Sequence, residues 1–91
     1  MNISTKNFEG HLWNAEPNID QTGTPWNLLQ ISKWDGEKQI GDEKHVYLSS
    51  NAARQFSGED ETLLDMLFSQ PNGAKIESLI RPAIWKIELA H

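Results

Sequence analysis

The chain has 91 residues, a net charge of −5 from eight basic and thirteen acidic side chains, four tryptophans and no cysteine. Without cysteine there are no disulfides, no thiolate chemistry and no Cys-ligated zinc or iron–sulfur site. The acidic balance argues against free DNA or RNA as a direct partner, because neutralising phosphates with Lys and Arg supplies most non-specific affinity.

A chain of this length forms one domain, residues 1–91, and buries roughly 64% of the surface its unfolded form exposes, enough for a core without cross-links or metal. Taken in chain order, Asn2 to Trp13 reads as a strand. Phe8 and Leu12 share one face, His11 and Trp13 the other, and Gly10 marks a bulge or a close backbone approach. Asn14 to Pro25 carries Pro17, Asn18, Asp20, Gly23 and Pro25 and reads as a long turn-rich connection. Trp26 to Trp34 is a second strand, with Leu29 and Ile31 on one face and Trp26, Leu28 and Trp34 on the other. Asp35-Gly36 follows as a turn signal, and Lys44 to Ser50 as a third strand with Val46 and Leu48 inward.

The period then changes. Ser49, Ser50 or Asn51 caps a short helix through Ala52, Ala53 and Phe56. Ser57 with Asp60 resembles a capping box opening a helix from Glu59 to Gln70, whose apolar stripe is Leu63, Leu64, Leu67 and Phe68. Pro71-Asn72-Gly73 ends it. Ala74 to Ile80 fits either period and is assigned a short helix. Ala83 to Ala90 alternates cleanly as a closing strand that buries Trp85. The order predicts an α+β fold, an antiparallel sheet of about four strands with one or two helices packed on one face.

Catalytic signals are weak. Ser49, Ser50, His11 and His45 are the ingredients of a nucleophilic site, but no nucleophile-elbow pattern surrounds the serines. His11, His45, Asp42 and Glu43 match no ligand spacing for a metal, and the scattered glycines form no phosphate-binding loop. The expectation is therefore a non-enzyme with no cofactor. No run of apolar residues is long enough for a membrane helix or the core of a signal peptide. Together with the missing cysteines, this favours a cytoplasmic location.

Two acidic clusters and the tryptophans remain. Between Gln55 and Ala74 there are four acids, Glu59, Asp60, Glu61 and Asp65, and no base; Asp35, Glu37, Asp42 and Glu43 face only Lys38 between 35 and 43. These patterns predict a protein-binding module that inhibits or regulates a partner by occupying a basic site on it, such as one that otherwise binds nucleic acid. The first cluster would then imitate phosphates, with Trp26, Trp34, Asp35 and Glu37 completing the contact. In size and charge the chain resembles small stand-alone inhibitors of phages and mobile elements. A monomer or a homodimer joined through a strand edge fits a chain this small. The alternative is a carbohydrate or small-ligand domain that stacks its ligand on Trp26 and Trp34, although these lie about 26 Å apart along an extended strand.

Overall fold

A computed structural model describes residues 1–14 and 25–79 and the strand at 86–88. Six strands and two helices follow in the order β1 (Asn2–Ser4), β2 (Phe8–Leu12), β3 (Asn27–Asp35), β4 (Lys38–Leu48), α1 (Ser50–Gln55), α2 (Glu61–Phe68), β5 (Lys75–Ser78) and β6 (Lys86–Glu88). All six strands join one sheet in sequential order. The α+β class matches the sequence reading, but the sheet is larger than the expected four strands. It is also mixed, because β4 and β5 run parallel while the other neighbours are antiparallel. Parallel neighbours cannot be joined by a tight turn, so the chain must return along the strand, and both helices lie in that return.

The expected strand from Asn2 to Trp13 is instead a hairpin. Thr5 N donates to Phe8 O at 2.9 Å and Phe8 N to Thr5 Oγ1 at 3.1 Å, folding the chain back over Thr5–Asn7. Within β2, Gly10 has the close approach its position suggested: a Cβ there would lie 1.9 Å from the carbonyl oxygen of Gln30 on β3. Between β3 and β4, Asp35 pairs with Lys38 across a two-residue loop, and Gly36 supplies the positive φ (64°) such loops favour. Further along, Ile31 pairs with Lys44 and Lys33 with Ile40, so Ser32 alone stands opposite Gly41, Asp42 and Glu43. Gly41, at φ 71°, accommodates the excess.

Both helices start on side-chain caps. Ser49 Oγ accepts from Ala52 N at 3.0 Å, and Asp60 Oδ1 from Leu63 N at 3.1 Å. The second helix therefore opens on Asp60 rather than Ser57, whose hydroxyl accepts a long 3.4 Å bond from Glu59 N and whose carbonyl accepts from Asp60 N at 3.3 Å. Glu59 is left outside the helix, and Gln70 likewise lies beyond its end at Phe68. Within the segment assigned to a third helix, Lys75–Ser78 form β5. The seven residues from 74 to 80 satisfy both periods in sequence, and the neighbouring backbone decides for those described: Tyr47 N donates to Ala74 O at 2.8 Å and Ser49 N to Ile76 O at 3.0 Å, which gives β4 a partner on its far edge. The reading of Trp85 as a core residue, and most of the 14–25 connection, fall outside the described residues.

The core lies between the helices and one face of the sheet. Ile3, Phe8, Leu12, Leu29, Ile31, Val46, Leu48 and Ile76 meet Ala52, Phe56, Leu63, Leu64 and Leu67. Helices on one face, as expected, leave the opposite face of β1–β4 to polar and aromatic side chains.

Two substitutions test this packing. Leu64 is fully buried beneath the sheet, so Leu64→Ala should lower unfolding free energy by about 3 kcal/mol. Urea denaturation should show the loss as a lower midpoint at unchanged slope. Gly10→Ala, which forces a methyl onto the Gln30 carbonyl, should cost about 2 kcal/mol in the same assay.

Candidate functional site

The acidic start of α2 is largely used by the fold itself. Asp60 caps the helix. Glu61 reaches across to the β1–β2 turn: Oε2 accepts from Thr5 Oγ1 and from Asn7 N at 2.9 Å, and Oε1 accepts from Asn7 Nδ2 at 2.7 Å. The Thr5 hydroxyl first, then the Asn7 backbone and side chain, hold the Glu61 carboxyl below its ordinary value of 4.5. Asp65 pairs with Lys33 of β3 at 2.7 Å, and the same ammonium lies 5.8 Å from the centre of the Phe8 ring. Of the four acids in this cluster, Glu59 alone is exposed with a carboxylate that makes no bond among the described residues.

The tryptophans divide in a way their spacing did not reveal. Trp26 is only 6% exposed, sits outside the helix-side core, and carries the Lys75 ammonium 5.3 Å over its ring. Trp34 is half-buried, and its Nε1 is shielded from solvent with no hydrogen-bond partner among the described residues. It lines a groove of about 380 Å³ with Thr5, Lys6, Glu9 and Glu37. Trp26 and Trp34 thus form no shared open platform. Among the described residues the exposed indole is Trp13, at 49%.

Trp13 belongs to a polar row that crosses four strands on the helix-free face. Its ring lies 4.1 Å from that of His11, tilted by 47°, and its Nε1 donates to Gln30 Oε1 at 2.5 Å. His11 Nδ1 is 2.6 Å from Asn2 Oδ1 on β1. The Gln30 amide lies 3.4 Å from His45 Nε2 on β4, and that nitrogen lies 2.7 Å from Glu43 Oε2. Alternation along β2 places His11 and Trp13 together, but the register that sets His11 opposite Gln30, and Gln30 opposite His45, is a tertiary fact. Among the described residues no three His, Asp or Glu side chains gather as metal ligands. The Ser49 hydroxyl is taken up as a helix cap and as donor to Glu77 O at 2.7 Å.

The second acidic cluster is mostly unbonded among the described residues. Nine consecutive residues, Asp35 to Glu43, are exposed, forming the turn and the outer half of the β3–β4 hairpin. Glu43 pairs with His45, whereas Asp35, Glu37 and Asp42 make no side-chain hydrogen bond or ion pair among the described residues. Ile40, between them, is 37% exposed. No helix among the described residues is long and apolar enough to cross a membrane.

Glu61 offers a test of the division between structural and free acids. A carboxyl held low in the folded state contributes stability that is fully present above its unfolded value and lost as pH falls through the folded one. Glu61→Gln should therefore lower the denaturation midpoint at pH 7, with the gap to the parent closing as pH drops below 4.5. Asp35→Asn, at a carboxylate without a partner, should leave the midpoint unchanged at both pH values.

No protein-family model, curated protein or solved structure matches the chain.

Proposed function

We propose that the chain is a non-enzymatic protein-binding module that inhibits or regulates a partner by occupying a basic surface on it, and that it acts in the cytoplasm. One observation carries the reading: the exposed hairpin arm from Asp35 to Glu43 holds four carboxylates against one lysine, with three of those carboxylates unpaired and Ile40 exposed among them. Surface charges arranged with one sign raise association rates, and an apolar residue within the patch supplies area to bury. The arm is held by the β3–β4 ladder, so little ordering entropy is lost when it docks.

The bonds made by the α2 acids support a proposed contact centred on the arm instead. At the α2 start, Asp60, Glu61 and Asp65 already serve the fold, and a partner's Arg or Lys would have to compete with Leu63 N, Asn7 and Lys33 for them. Asp35 and Glu37, with Trp34 beside them in the groove against the β1–β2 turn, keep their place at the proposed interface. A basic nucleic-acid-binding groove on the partner suits the arm, since the same Lys and Arg that hold phosphates pair with carboxylates. Against the carbohydrate alternative stands the burial of Trp26.

The test is affinity capture of the tagged chain from lysate of its native host at about 50 and about 300 mM salt, beside the triple variant Asp35→Lys, Glu37→Lys, Asp42→Lys. A stoichiometric basic protein retained at low salt, released at high salt and missed by the variant is expected. Retention by parent and variant alike would remove the arm from the interface. Capture of nothing at either salt would remove the protein-binding reading.

A further inference from the structure

Among the described residues β1 is an edge of the sheet with no further strand beside it, and it is bordered by a groove. The Met1 and Leu12 backbones exchange both ladder bonds, Met1 N to Leu12 O at 2.9 Å and Leu12 N to Met1 O at 2.8 Å. At the other end Thr5 N donates to Phe8 O at 2.9 Å. In an antiparallel pair the bonded residues alternate, so Met1, Ile3 and Thr5 face β2, while Asn2 and Ser4 turn their N–H and C=O outward. Both residues are exposed, and neither backbone finds a partner among the described residues. An unpaired row of this kind is a template for another strand.

What lies beside the edge selects the strand. On the helix side, the loop between α1 and α2 folds against β1 at Gly58, where a Cβ would lie 3.3 Å from both Ile3 Cγ1 and Met1 Sδ. The space left is a groove of about 460 Å³ between Asn2 and Ser4 on one bank and Phe56 to Glu59 on the other. Met1, 55% exposed, and Phe56 give it apolar lining, and its acid is Glu59, the carboxylate of the α2 cluster that the fold leaves unused.

We infer that this edge accepts an extended, basic segment of a partner protein by strand addition: main-chain bonds to Asn2 and Ser4, alternate apolar side chains in the groove, and a Lys or Arg on Glu59. A second copy of the chain fits worse, since β1-to-β1 pairing would bring two Glu59 side chains into one groove between molecules that each carry −5. The inference rests on the reading of the chain as a protein-binding module and adds a second contact, distinct from the hairpin arm.

The probe is an acetylated hexapeptide of alternating valine and threonine with lysine at both ends, titrated into the full chain and followed by amide NMR. The Asn2 and Ser4 amides should shift and gain exchange protection. The same peptide N-methylated along its backbone should leave them unmoved. Replacing the peptide lysines by glutamate, or Glu59→Lys in the chain, should weaken binding about three- to fivefold, the worth of one exposed ion pair. Equal binding of the N-methylated peptide, or shifts confined to Asp35–Glu43, would overturn strand addition. So would protection of Asn2 and Ser4 that rises with protein concentration before peptide is added, because the occupant would then be a second copy. The triple arm variant keeps the two ideas apart. If it alone loses the captured partner while Asn2 and Ser4 never respond, the binding reading stands and this one falls. If nothing is captured yet the peptide pairs with β1, the reverse holds.

Discussion

The parallel pairing of β4 with β5 is the constraint from which most of this structure follows. Every other neighbouring pair in the sheet is antiparallel. A parallel step requires the chain to travel back the length of a strand, and the stretch from Ser49 to Ala74 does so with two helices on one face. Among the described residues, the buried apolar side chains of β1–β5 pack against that layer, while Trp26 is buried outside it. The other face of β1–β4, without a helix, is where Asn2, His11, Trp13, Gln30 and His45 meet one another.

The charges sort by the same geometry. Where an acid lies next to the helix layer it is consumed: Asp60 closes the start of α2, Glu61 ties that helix to the β1–β2 turn, and Asp65 ties it to β3. Where the β3–β4 hairpin outruns the helices, Glu43 pairs with His45, and Asp35, Glu37 and Asp42 have no partner among the described residues. Two clusters of similar composition thus have different roles, one closing the helix layer onto the sheet and the other offered to solvent. Glu59, one residue before the cap, is the exception in the first cluster, and it faces the groove beside β1.

Much of the secondary structure was legible from local pattern. The alternation from Trp26 to Trp34, the turn at Asp35-Gly36, the Ser49 cap and the Leu63–Leu64–Leu67 stripe each appear where their periods and turn chemistry put them. The failures share a cause. Ala74 to Ile80 is short enough to fit two periods, and only the vacant edge of β4 decides between them. The break at Thr5–Asn7 has no Gly or Pro to announce it and is held by a glutamate 54 residues away from Asn7. For the candidate site, composition marked two acidic clusters but was silent on which of their acids were already bonded. The spacing of Trp26 and Trp34 likewise said nothing of burial. The row from Asn2 to Glu43 depends on register across four strands, which no local signal encodes.

Ser49 joins two elements through one oxygen, accepting from Ala52 N and donating to Glu77 O. Gln55, at the other end of the same helix, accepts from Leu79 N at 2.6 Å. A helix of six residues is far below the length that is stable alone in water, so α1 exists by virtue of what it leans on. With both of its ends fastened to β5, neither element can fray without releasing the other. The two should therefore open together, the amides of Ala52 and Ala53 exchanging with solvent in step with those of the strand.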